Sequence, residues 1–358
     1  MNTMSEENFG QAVRAQVLEV MHDFDLRIEP KEWKREMERQ KQELSENWNL
    51  VYQEISGSRD LPQSYLKRFP RLFSFGYSLG YQISEMLGGQ GSENHEAGVI
   101  SALFNMYASL FDEICDNYPH LVSRLMEIVN IKSLAKAIGS DGKLDACVPL
   151  AVSDRDDILL RTVCLFMNQY FAKCRIQKQV NKRTYEEFQT LILDLYRSEL
   201  QSLQCTFTSG ANSADIYRIL FTKSALPSWA IFLTSFMCLK REPRCNFVEL
   251  KNAIVGLGKA IWIIDDLSDV FEDLDRNRWS YVWLKFHFEH GVPLLQNDGK
   301  VRDKTELCED LLATSTLGDS ATEMCKNLVN SFALLRCHGY NVSKFERNII
   351  IWINSWIG

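Results

Sequence analysis

The chain has 358 residues, 46% of them hydrophobic and 24% charged, enough apolar material for a sizeable core in one large domain or two smaller ones. A net charge of -7, with no block rich in lysine or arginine, excludes the usual electrostatic footprint of a nucleic-acid partner. Ten cysteines, scattered from Cys115 to Cys337 without a CxxC pair, match the reducing cytosol, where a free thiol behaves as a small hydrophobe.

The opening residues, MNTMSEENFG, lack a basic patch followed by an apolar stretch, so no signal peptide is expected. No run is read as reaching the ~20 apolar residues that span a bilayer; the most apolar segment, 225–239, carries Pro227 and polar neighbours. No transmembrane segment and a cytoplasmic location are therefore expected.

Apolar residues recur at three- and four-residue spacing and strand-like alternation is nearly absent, so the fold class expected is all-α. In chain order the spacing predicts helices over 9–25, 31–56, 64–88, 94–116, 120–138, 154–175, 183–205, 213–240, 247–272, 279–290, 302–315, 320–337 and 343–356. LGGQGSEN (87–94) and TSGANSAD (208–215) read as connections, with Asn212 or Ser213 as the N-cap of the helix that follows. Residues 1–60 are more charged than the rest and read as peripheral helices on a single domain spanning 1–358.

Asp112 and Asp116 end the otherwise apolar stretch SALFNMYASLFDEICD. At four-residue spacing they share one helix face, ~6 Å apart along the axis. Two carboxylates there repel, and a hard cation such as magnesium, which prefers oxygen ligands, would relieve them. A partner from elsewhere in the fold would do the same.

GKAIWIIDDLSDVFEDLDRNRWSY, residues 258–281, carries a stronger signal. Asp265, Asp269 and Asp273 form a single acidic stripe, flanked by Asp266 and Glu272, where an apolar helix ends. Carboxylates at a helix C-terminus oppose the macrodipole, so stability alone does not explain them. Glu272 and Asp275 suit an ordinary solvated face. Arg276 and Arg278 follow within a turn, placed either to pair with Asp273 or Glu272 or to meet a phosphate held by metals. Between the two acidic stretches, Arg218 and Lys223 stand in a largely apolar segment that Pro227 is expected to kink. For Arg218 a salt bridge and a phosphate contact are equally open; Lys223 is the better phosphate candidate.

These three elements, in this order over residues 64–290, resemble the class I isoprenoid synthases, which include trans-prenyl diphosphate synthases, terpene cyclases and squalene and phytoene synthases. IIDDLSDVFED looks like a second DDxxD motif, and Lys223–Ala225 like the K-[ST]-A context of the family's diphosphate-binding lysine. The resemblance implies a helical bundle with a central apolar cavity and two Asp-rich helices at its mouth. It implies three Mg2+ ions held by Asp112, Asp116, Asp265, Asp269 and Asp273, and a prenyl diphosphate met by Lys223, Arg218, Arg276 and Arg278. A homodimer is compatible with it. Helical spacing nominates Phe104, Tyr107 and Ala108 above Asp112, and Ile261, Trp262 and Gly258 above Asp265, as cavity walls; ordinary core is the competing reading for each.

Chain-elongating members carry cationic segments around the first motif that hold isopentenyl diphosphate. Here the corresponding stretches read LKRFPRLFSFG (66–76) and DNYPHLVSR (116–124). Lys67, Arg68 and Arg71 remain of the first, and the arginine pair after Asp116 is missing. The cyclases' Arg-Tyr pair near the C-terminus is missing too, with Arg347 as a stand-in. The reading is therefore a terpene synthase, a diphosphate lyase acting on one diphosphate, with a prenyltransferase as the alternative.

Overall fold

A computed structural model of the chain describes residues 6–55, 63–140, 142–144, 155–177, 182–239 and 246–357, side chains within 40–55 and 63–68 largely excepted. Among them there is no strand, only the isolated bridges Thr206–Arg278 and Leu295–Val301. The all-α expectation is met. The helices are α1 (Glu6–Asp23), α2 (Pro30–Ile55), α3 (Gln63–Met86), α4 (Ser92–Asn117), α5 (Pro119–Ile128), α6 (Ile131–Gly139), α7 (Arg155–Gln177) and α8 (Lys182–Ser202). They continue with α9 (Ser213–Ser224), α10 (Pro227–Met237), α11 (Phe247–Ser268), α12 (Val270–Asp275), α13 (Tyr281–His290), α14 (Lys304–Ala313), α15 (Thr316–Cys337) and α16 (Ser343–Ile357).

Three expected helices are divided. The 120–138 segment breaks at Asn130, whose side chain accepts from the Lys132 and Ser133 amides while Ser133 caps it in return, a reciprocal cap that starts a new helix. The 213–240 segment ends one helix at Ser224 and starts another at Pro227; proline lacks the amide that the preceding turn needs, so it occupies a helix start instead. The 247–272 segment stops at Ser268, and Asp269 (φ -107°, ψ 13°) separates α11 from α12. Taken across the Pro227 break, Ser213–Met237 is long and apolar enough to cross a membrane by length and composition, and 61% of its most apolar window is buried.

The contacts cluster into two compact units, each built from separate chain segments. Unit 2, residues 36–196 and 230–244, is organised by the packing of α3 on α4 and of α4 on α7. Gly76 and Gly80 permit the first of these: a Cβ at Gly80 would sit 2.0 Å from the Ser101 Oγ, and one at Gly76 2.7 Å from the Ser101 carbonyl oxygen. Asn105 Nδ2 donates to the Leu72 carbonyl across the same seam.

Unit 1, residues 1–35, 197–229 and 245–358, centres on α11, which packs on α15 and touches α9, α13 and α16. Asn246 caps α11 by accepting from the Val248 and Glu249 amides. Leu250, Ile254, Leu257, Trp262 and Ile263 are all buried along it. α1, expected at the periphery, buries Phe9, Val13, Val17 and Met21.

Gly258 sets the position of the α9–α10 corner on α11. A Cβ there would meet the Ala225 carbonyl oxygen at 2.1 Å and the Ser228 Oγ at 2.8 Å, and backbone cannot yield as a flexible side chain can. Gly258→Ala is expected to destabilise the protein by about 1–3 kcal/mol. Gly318→Ala in α15, where a Cβ meets nothing within 4 Å, is expected to be neutral or stabilising by up to about 1 kcal/mol. Urea unfolding of both variants checks the contrast.

Candidate functional site

The acidic stretch after α11 lies wholly in unit 1. Asp265 and Asp269 are exposed, while Asp266 and Asp273 are half-buried. The stripe expected on one helix bends at Asp269, yet its backbone spacing survives: the Asp269 amide donates to the Asp265 carbonyl and the Asp273 amide to the Asp269 carbonyl, both at 3.0 Å. Ser268 Oγ braces the bend, donating to the Asp265 carbonyl at 2.8 Å and to Asp269 Oδ1 at 3.1 Å.

Burial drives the electrostatics. It pushes the Asp273 carboxyl up to about 7; Ser280 opposes the shift, the charges of Asp269 and Asp265 add to it, and Arg276 opposes it. Asp266 is likewise raised well above the carboxylate range, by burial and then by the Asp273 charge, although the Tyr281 amide donates to its Oδ2. Asp273 Oδ2 is buried without a hydrogen-bond partner among the described residues. A buried acceptor left unsatisfied is costly, and a cluster of four carboxyls, two of which resist ionisation, is what a divalent cation relieves. Their oxygen donors suit magnesium or calcium rather than a thiolate-seeking metal. Among the described residues no three metal-ligating side chains converge closely enough to form a ready-made cage.

The chain after α12 folds back along the end of α8. The Arg278 amide donates to the Asp273 carbonyl, the Phe207 amide to the Asn277 carbonyl and the Trp279 amide to the Cys205 carbonyl. Asn277 (φ 54°) takes the left-handed conformation that makes this return possible. Arg276 pairs with Glu272 at 3.2 Å, one of the pairings expected for it.

That fold-back places the aspartates near the third sequence element. Lys223 Nζ lies 3.1 Å from Glu199 Oε1, with side-chain exposures of 21% and 14%. Its charge also reaches the Cys205 thiol, which burial pushes up and Lys223 pulls back down. Arg218 instead is 68% exposed and pairs with Asp215 at 3.4 Å, so the geometry gives it the ion pair that was one of its two readings. Trp262, 2% exposed, packs its ring against Tyr281 at 5.3 Å and Tyr217 at 5.7 Å. An open cleft of about 710 Å3 abuts α12, with Phe9, Val13, Val17, Leu267, Val270 and Phe271 on its apolar side and Glu6, Glu7, Gln11, Arg14 and Glu272 also lining it.

The first aspartate pair belongs to unit 2. Asp112 and Asp116 are half-buried in the last turns of α4, and Ala108 is half-buried above them. Phe104 and Tyr107 are buried and pack edge to face at 5.3 Å, with the Tyr170 ring 5.5 and 5.3 Å away. After Asp116, His120 pairs with Asp156 at 2.9 Å and Arg124 with Asp157 at 2.5 Å. Arg71 is exposed; the side chains of Lys67 and Arg68 lie outside the described residues. Arg347 pairs with Glu32 at 3.2 Å.

Glu199, Ser280 and Tyr281 are absent from the sequence-derived site. Glu199 reaches it through a contact distant in the chain, which leaves no local pattern, whereas Ser280 and Tyr281 follow the acidic stretch directly and act through the fold-back after α12. Set against models of known families and against curated proteins, the sequence has no match.

Because the folded-state value of Asp273 lies above its unfolded one, its ionisation opposes folding. Its contribution to stability is fully present below about pH 4 and lost as pH rises to about 7, with an upper bound of about 4 kcal/mol. Asp273→Asn is expected to remove this loss, so that the variant gains stability relative to the parent between those values. Denaturation of both proteins across pH 4–8 without divalent cations measures the difference.

Proposed function

We propose that the chain is a class I terpene synthase that ionises one allylic prenyl diphosphate and turns the resulting cation into a linear or cyclic terpene. The observation that carries this reading is the carboxyl cluster at the end of α11, where Asp266 and Asp273 resist ionisation and one Asp273 oxygen has no hydrogen bond. Asp265, Asp269 and Asp273 are the proposed Mg2+ ligands of the second motif, and Asp112 and Asp116 those of the first. When bound, magnesium neutralises the diphosphate and makes it a better leaving group.

The chain's own cations do the rest. Arg276 and Arg278 offer guanidinium groups that grip phosphate oxygens bidentately. Lys223 is kept charged by Glu199, and a diphosphate oxygen replaces that carboxylate when substrate binds. The allylic cation needs dry surroundings with aromatic faces, each contributing ~0.5–2 kcal/mol of attraction; Trp262, Phe104 and Tyr107 are the proposed sources. Of the cleft against α12, the side formed by Phe9, Val13, Val17, Leu267, Val270 and Phe271 is the apolar surface near the motif that a prenyl chain could lie on.

Action on one diphosphate, rather than condensation of two, is supported by the carboxylates already held by His120 and Arg124. Arg124 is the first arginine or lysine after Asp116 in the chain, and a second diphosphate would have to displace Asp157 from it.

Incubation with geranyl, farnesyl, geranylgeranyl and geranylfarnesyl diphosphates plus Mg2+ is expected to release a hydrocarbon or alcohol detectable by mass spectrometry, without isopentenyl diphosphate. Longer prenyl diphosphates formed only when labelled isopentenyl diphosphate is supplied would assign the chain to the prenyltransferases. No diphosphate release from any of the four would make it a catalytically silent partner subunit. Lys223→Ala is expected to lower turnover by roughly 10²-fold, while Mg2+ still raises the unfolding temperature of the variant; unchanged kinetics would remove Lys223 from the site.

A further inference from the structure

A second cavity, of about 410 Å3, opens in unit 1 beside the start of α9. It lies within the range of small-molecule sites, and the proposed reaction makes no use of the polar groups on its floor. Glu323 of α15 is one of them. Its Oε1 accepts from Lys259 Nζ and its Oε2 from the Tyr281 hydroxyl. Burial works against the Glu323 charge, but these bonds outweigh it and hold the carboxyl below its usual range. Burial likewise opposes the Lys259 charge, and Glu323 outweighs it. That pair is internally satisfied.

Lys285 of α13 is not satisfied in the same way. Its side chain is only 11% exposed, and Glu323 is 4.0 Å away with both oxygens already engaged. The close counter-ion is Glu289, at 2.7 Å, whose side chain is 60% exposed. A covered ammonium group therefore depends on a carboxylate at the solvent edge, one helical turn along, that can swing into water at little cost. An incoming anion can take the place of Glu289 while Glu323 stays where it is.

The remaining wall is aromatic. Tyr217 and Tyr281 line the cavity, and so does Phe288, one of the few large apolar side chains left exposed among the described residues, at 44%. A half-buried cation with a replaceable counter-ion, in a cavity that three rings also line, selects a ligand with one charged end and an apolar body. We propose that this cavity binds a small amphipathic oxyanion, a carboxylate or phosphate monoester on an aromatic or short apolar body. Its charge would meet Lys285 and its body the rings of Tyr217, Tyr281 and Phe288. The cavity adjoins the aspartate site through Tyr281, whose amide holds Asp266, but its ammonium group, Lys285, takes no part in the reaction proposed there.

Benzoate and phenyl phosphate are the probes, with neutral benzamide as the control, titrated calorimetrically into the full chain with and without Mg2+. Both anions are expected to bind, equally well without the metal, and benzamide to bind far more weakly. Lys285→Met keeps the apolar stem and removes the charge, and is expected to weaken binding roughly tenfold or more. Glu289→Gln removes the competing carboxylate and is expected to tighten it about two- to fivefold. Glu289 is exposed, so this variant decides the matter even if Lys285→Met fails to fold. Absence of binding by the parent at millimolar probe, equal binding of benzamide, or unchanged or weaker binding by Glu289→Gln would each overturn the proposal.

Discussion

Carboxyl groups that leave water at the C-terminal end of a buried helix meet two penalties at once, lost hydration and an opposing helix dipole. Asp266 stands in that position at the end of α11 and Asp273 near the end of α12, and much of unit 1 is arranged around them. Asp266 is held by the Tyr281 amide, which fixes the start of α13. The Asp273 carbonyl receives the Arg278 amide, which turns the chain back beneath the acidic stretch. That return is bonded in turn to residues 205–207, so the end of α8 is drawn alongside, and with it Glu199 and its partner Lys223. The absence of a side chain at Gly258 completes the arrangement by admitting the corner that follows Lys223.

The same unit shows how environment sorts carboxyls of one chemical kind. Glu323 and Asp273 are both withdrawn from water, yet their acidities move in opposite directions. Glu323 receives an ammonium and a phenol hydroxyl; Asp273 is surrounded chiefly by other acids, with one arginine against them. Elsewhere in the unit the lysines are matched one to one with carboxylates, Lys223 with Glu199, Lys259 with Glu323 and Lys285 with Glu289. The aspartate cluster is where that matching stops. In a structural ion-pair network such an imbalance is a defect, whereas in a cation site it is the source of affinity.

The helical period made the fold class legible, because long apolar stripes at three- and four-residue spacing have no other stable reading. It also located the acidic ends of α4 and α11. The interruptions were harder to see. Asn130 forms a capping box with a serine where glutamate is the usual signal, and Pro227 reads equally as a kink or as a first residue; here it is the latter. At Asp269 nothing marks a break, since the amide spacing continues through it. The partners of the site were not legible at all. Glu199 lies 24 residues before Lys223 and Glu323 lies 64 after Lys259, and pairings of that reach depend on how helices stack rather than on any repeat in the chain. The aromatic residues nominated as walls showed the converse: Phe104, Tyr107 and Trp262 sit at the expected spacing, and each is packed among neighbouring rings.

Asn354 of α16 accepts the Ile28 amide at 3.0 Å and donates to the Leu26 carbonyl at 2.9 Å, across 326 and 328 positions of chain. The backbone leaving α1 is thus fastened by a side chain more than 300 residues further along. A nascent chain can form the individual helices as they emerge, since those depend on local bonds, but unit 1 has to wait for α16 to emerge before the segment after α1 is secured. Contacts of this reach carry the full cost of closing a long loop and slow the final step of folding. Until then the apolar side of α1 has no α15 or α16 to lie against, which makes the time between synthesis of the first and last helices the period in which chaperones or proteases would meet this protein.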